Sequence, residues 1–114
     1  MYCRSQNFQM FAGDDLRIIV PVVDERTREP IDISQATSIK WSMARTVGAT
    51  TPVLEKELGN GITINNPTSF FFDITNVESS DLTGNYYHEA EVITSQGYVY
   101  TVLSGRAYVQ KTLI

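Results

Sequence analysis

Apolar side chains recur at every second position through most of this chain, in runs that are short. Leu16, Ile18, Val20 and Val22 alternate with Arg17, Ile19, Pro21 and Val23. Ile39, Trp41 and Met43 alternate with Ser38, Lys40 and Ser42, and Tyr86, His88, Ala90 and Val92 alternate with Tyr87, Glu89, Glu91 and Ile93. A period of two sends successive side chains to opposite faces of a strand, whereas a helix repeats its apolar positions every three or four residues. Further strands are predicted near Pro52 to Leu58, over Ile62-Thr63-Ile64, Ser69 to Ile74, Tyr98 to Leu103 and Arg106 to Lys111.

Turn chemistry separates the runs. Asp24 to Pro30 is polar and carries both charge signs, as a solvated hairpin connection does, and Gly59-Asn60-Gly61, Asn65-Asn66-Pro67-Thr68 and Ser95-Gln96-Gly97 bring residues that tolerate turn backbones. Ser34 to Thr37 and Val77 to Leu82 read as single helical turns, and no helix of three turns is visible. Turns spaced about ten residues apart suit an antiparallel sandwich rather than a strand-helix-strand order. The fold predicted is all-β: an antiparallel immunoglobulin-like β-sandwich or flattened barrel with one or two short helical turns, forming a single domain over 1–114.

The alternation also nominates a core, made of Leu16, Ile18, Val20, Ile39, Trp41, Met43, Tyr86 and Val92. Trp41, at the centre of its apolar face, contributes most. Phe70 and Phe72 point to one side of their strand and Phe71 to the other, so one buried face does not hide all three. Tyr98 and Tyr100 against Val99, and Tyr86 against Tyr87, pose the same problem. Phe70, Phe71, Phe72, Tyr87, Tyr98 and Tyr100 are therefore the candidates for contacts between subunits, the alternative being cover by the chain's own loops. The second face of the Leu16 strand, bearing Ile19, is expected to be covered as well.

Charge and cysteine content narrow the function classes. The formal net charge of -4 gives no reason to approach a phosphate backbone, so nucleic acid is excluded as a partner. No apolar run is long enough to span a bilayer, and Met1 to Asn7 lacks the apolar centre of a signal peptide; the expectation is synthesis in the cytoplasm without membrane association. Cys3 is the single cysteine and reads as an inert thiol, so no internal disulfide staples the domain.

No constellation points to catalysis. His88 is the sole histidine, too little for a zinc site or a nucleophile triad, and reads as a hydrogen-bonded residue in or beside the core. Glu89 and Glu91 share a strand face at about 7 Å, but their alternation with Ala90 and Val92 is that of the wet face of a half-buried strand. Asp14, Asp15, Asp24 and Glu25 could gather at one end of the fold and hold Ca²⁺, although their spacing matches no EF-hand. The glycines form neither a dinucleotide fingerprint nor a Walker loop. The expectation is no cofactor, no metal, no small-molecule substrate and no enzymatic activity.

Several short segments together resemble a known group of proteins. Gly13-Asp14 precedes an apolar strand, Pro30-Ile31-Asp32-Ile33 follows a turn, Ile39 to Arg45 leads to a variable loop, Gly84-Asn85-Tyr86 opens a late strand, and Val102-Leu103-Ser104-Gly105 sits in the closing hairpin. Over residues 8–110 this order resembles the small β-rich structural domains of bacteriophage tails and baseplates, including the N-terminal domain of baseplate upper proteins. The resemblance implies a virion protein made in the host cytoplasm, a homo-oligomer contacting other phage structural proteins in a tail, baseplate or adaptor. Capsid decoration and a bacterial binding or adhesion-type β-sandwich are the alternatives.

Overall fold

The computed structural model describes residues 4–24 and 26–114; Cys3 and Glu25 lie outside the described residues. The strands are β1 (Arg4–Ser5), β2 (Phe8–Phe11), β3 (Leu16–Pro21), β4 (Val23–Asp24), β5 (Glu29–Pro30), β6 (Ser38–Ala44), β7 (Leu54–Leu58), β8 (Gly61–Asn66), β9 (Ser69–Ile74), β10 (Gly84–Ile93) and β11 (Val99–Gln110), with one turn of helix, α1 (Asn76–Ser79).

Two sheets face each other. The larger runs β11-β10-β6-β7 in antiparallel pairs, and β1 and β2 add to β11 in parallel; the smaller is β8-β9-β3, also antiparallel. They join where β7 steps to β8 through Gly59-Asn60-Gly61, whose glycines take φ of 85° and 108°, values an L side chain resists. Between β3 and the N-terminal strands the barrel stays open. This is the arrangement of immunoglobulin-like sandwiches, in which strands B, E and D oppose G, F, C and C′.

The inner faces meet in one core. Ile18 and Val20 of β3, Phe70, Phe72 and Ile74 of β9 and Ile62 of β8 pack against Ile39, Trp41 and Met43 of β6, Tyr86, Ala90 and Val92 of β10, and Leu103, Ala107 and Val109 of β11, all of them buried. A bulge between the Ala90 and Glu91 pairings of β10 leaves Val102 of β11 without an opposite number, so Val102 and Leu103 both turn inward.

Several expectations need correction. Phe70 and Phe72 are not contact surface: each is 0% exposed inside the chain. Phe71 points outward but is half-buried, because Arg17 of β3 lies over its ring at 4.3 Å. Leu16 is only half-buried, at the margin of the core, since it sits at the end of β3. Ile19 is 51% exposed, so the outer face of β3 is not covered there. Residues 34–37 form turns rather than a helical turn, with the Ala36 amide donating to the Ile33 carbonyl. Of the remaining contact candidates, Tyr87 and Tyr100 are half-buried and Tyr98 is exposed.

Candidate functional site

The sole histidine lies at the centre of the sandwich. Strand alternation turns His88 inward between Tyr86 and Ala90, and it is 0% exposed. Trp41 on neighbouring β6, in register with Ala90, donates its indole Nε1–H diagonally to His88 Nδ1 at 3.0 Å. An indole can only donate, so Nδ1 carries no proton and Nε2 does; Nε2 donates to the Gln6 carbonyl at 2.7 Å. Phe8 of β2 meets the imidazole edge-on at 5.0 Å, and Trp41 also packs on Phe72 at 4.2 Å. Burial holds the His88 pKa below its ordinary value, the Gln6 carbonyl opposing that in part. His88 is thus a neutral side chain with both nitrogens paired, and it has no free lone pair for a metal or for base catalysis.

These bonds fasten the N-terminal segment to the core. The Gln6 amide donates to the Ser104 carbonyl, and the Arg106 amide donates to Asn7 Oδ1. The approach requires Gly105, where a Cβ would lie 2.2 Å from the Gln6 oxygen. Two residues before His88, the Tyr86 hydroxyl accepts from the Thr83 amide at 3.0 Å and donates to the Thr83 carbonyl at 3.1 Å. That is the tyrosine corner of immunoglobulin-like domains, which falls two residues before the second cysteine of their inter-sheet disulfide. Here His88 stands in the cysteine's place, and a hydrogen bond to the strand-C tryptophan, Trp41, replaces packing against a disulfide. The sequence signal for both features is Tyr86-x-His88 following the strand-borne Trp41.

The carboxylates are dispersed, and several have structural partners. Arg17 makes a two-pronged contact with Asp73 at 2.8 and 3.1 Å, and the hydrogen bond from Arg17 holds the Asp73 pKa below the usual range. Lys56 pairs with Glu78, which also completes a capping box with Thr75 at the start of α1. Asp15 accepts from the Asn76 amide, and Asp32 from the Ser34 amide and hydroxyl. Asp14 and Asp15 precede β3 whereas Asp24 lies beyond its far end, so the six residues of that strand, about 20 Å long, keep them apart and they do not gather as a Ca²⁺ site. Glu89 accepts from the Tyr87 hydroxyl on the outer face. Among the described residues no three His, Cys, Asp or Glu side chains come together as a metal site.

One end of the sandwich carries a cleft of about 130 Å³ between the 31–36 loop and the 94–97 turn. Its floor is apolar, with Val22, Ile33, Val92 and Val102, and Asp32 and Tyr100 stand at its rim. Beside it Tyr98 and Val99 are 61% and 56% exposed at the start of β11.

No protein-family model matches the chain, and no curated protein does. Among solved structures it is similar to murine CRIg, at 12% identity over 95% of this chain and 92% of that one, with a TM-score of 0.46. The immunoglobulin-like assignment follows from the strand order and the tyrosine corner.

Proposed function

We propose that the protein is a structural component of a bacteriophage or prophage virion, in a tail, baseplate or adaptor, and that it works through assembly contacts rather than chemistry. The observation that carries this reading is the use to which the reactive side chains are put. His88 is consumed by two core hydrogen bonds, and Asp15, Asp32, Asp73 and Glu78 by local structural ones. The surface also presents exposed apolar side chains suited to contacts: Phe11, Ile19, Tyr98, Val99 and Tyr108, each between 42% and 61% exposed. The outer edge of β3, which pairs with no other strand, adds a sheet edge. The order of turn and strand segments that resembles baseplate domains supports the same conclusion. Its partners are then other copies of itself and neighbouring virion proteins.

Mass spectrometry of purified particles from a host that encodes the protein tests the reading. The chain should be recovered at a fixed copy number relative to the major tail or capsid protein, and its absence from intact particles overturns the proposal. The apolar cleft at the loop end supports a second reading, a binding module of the adhesion type, because immunoglobulin variable domains bind through loops at one end of the sandwich. Recovery with the cell surface instead of particles would select it.

A further inference from the structure

Asn7, Asn65, Asn66, Asn76 and Asn85 each precede a residue larger than glycine. Asn60 alone precedes a glycine, Gly61, where β7 steps to β8. The fold itself dictates that glycine. Gly61 takes φ of 108°, and a Cβ there would lie 2.8 Å from Cδ of Lys56. The Lys56 side chain is largely buried, with its ammonium on Glu78, so it does not swing aside. Asn60 and Gly61 are themselves exposed. A side-chain amide thus stands in solvent one residue ahead of a main-chain nitrogen that no Cβ shields.

That pair carries a reaction. The Gly61 nitrogen gives its proton to solvent and bonds to the side-chain carbonyl carbon of Asn60. The bond from that carbon to the amide nitrogen breaks, and ammonia leaves with a proton from solvent. A cyclic imide remains, and water opens it by breaking either bond to the Gly61 nitrogen. Breaking the side-chain bond gives aspartate in an unaltered main chain. Breaking the main-chain bond gives isoaspartate, whose main chain runs through the side-chain methylene. The net change consumes water and releases ammonia, with no oxidation or reduction.

We propose that Asn60 is a self-modifying site, which deamidates in the folded protein and loosens the joint between the two sheets. The Asn60 amide donates to the Glu57 carbonyl at 2.8 Å, and the Asn60 carbonyl accepts from the Glu57 amide at 3.0 Å. Just beyond, Gly61 and Ile62 pair with Glu57 and Leu58. In isoaspartate the carbonyl that accepts from Glu57 becomes a free carboxylate, and the added methylene shifts the pairings that follow. Either product also adds a negative charge to a hollow of about 170 Å³ that Glu55 and Glu57 line together with Lys40 and Lys56.

Peptide mapping by mass spectrometry of the full chain, stored folded at neutral and at mildly alkaline pH, tests the site. Asn60 should be converted to aspartate and isoaspartate, faster at the alkaline pH because the attacking nitrogen must shed its proton. The other five asparagines should keep their amides. Hydrogen exchange on the aged protein should be faster over residues 57–62 and unchanged in β10 and β11. Asn60→Gln, which closes a ring less readily, should keep both its amide and its exchange pattern through the same storage. Asn60→Asp, analysed fresh, should show the added charge with near-native exchange, separating charge from the main-chain change. An Asn60 amide that survives folded storage but is lost in urea would overturn the inference, as would conversion no faster than at the other asparagines. Conversion that leaves exchange over 57–62 unchanged would overturn the loosening of the joint.

Discussion

Lowering the pH from 7 to 5 should destabilise this protein through one side chain. His88 is buried neutral, and protonating Nδ1 would set a new N–H against the Trp41 indole N–H that now donates to it. The folded-state pKa therefore lies below the ordinary 6.5 that the unfolded chain recovers. Below that value the unfolded state binds a proton that the folded state refuses, so stability is complete above about pH 6.5 and falls as the pH drops toward the folded pKa. The slope cannot exceed one proton, about 1.4 kcal/mol per pH unit, so the loss at pH 5 is at most about 2 kcal/mol. Asp32 and Asp73, held below 3.8, and Glu78, held below 4.5, lose their contributions only at more acid pH, so the window from 5 to 6.5 reports on the histidine. Urea unfolding at half-unit pH steps measures this, with His88→Gln as the control because its amide still donates and accepts but does not titrate. The wild type should lose up to about 2 kcal/mol across the window while the variant stays nearly flat. Equal slopes in the two proteins, or a wild type that gains stability at pH 5, would refute the account of His88.

Other perturbations probe the same frame. Trp41→Phe keeps the ring packing but leaves His88 Nδ1 unpaired, and should cost about 1–3 kcal/mol in denaturant unfolding. Tyr86→Phe removes both bonds to Thr83 and should lower stability by about 1–3 kcal/mol, with faster amide exchange confined to residues 80–86. Gly105→Ala drives a Cβ into the Gln6 carbonyl, so exchange protection should be lost across Phe8–Phe11 before it is lost in β6 or β10. Phe72→Ala should cost about 3–5 kcal/mol, while Phe71→Asp, outward beneath Arg17, should leave a folded domain with a near-native melting curve. An unfolded Phe71→Asp would mean that its ring is core after all.

Much of the sandwich was determined by local sequence. Period-two alternation set the inward faces of β3, β6 and β10, because side-chain direction in a strand depends only on parity. Glycine and asparagine placed the turn between β7 and β8 by their tolerance of positive φ. Parity, however, states which face a residue occupies and not what covers it. Parity set Phe70 and Phe72 on one face of their strand and Phe71 on the other without saying which face is inward; the opposing sheet buries the first and third, and an arginine on the neighbouring strand shields the second. Only tertiary pairing brought Gln6 to His88 across 82 positions of chain, and with it the N-terminal strands, whose short alternation from Phe8 to Ala12 was too brief to stand out. The cleft likewise exists only because two loops distant in sequence close over one end of the core. A histidine in the strand-F cysteine's place is legible as a residue; that it bonds to Trp41 depends on β6 and β10 lying side by side, a pairing that long-range packing decides.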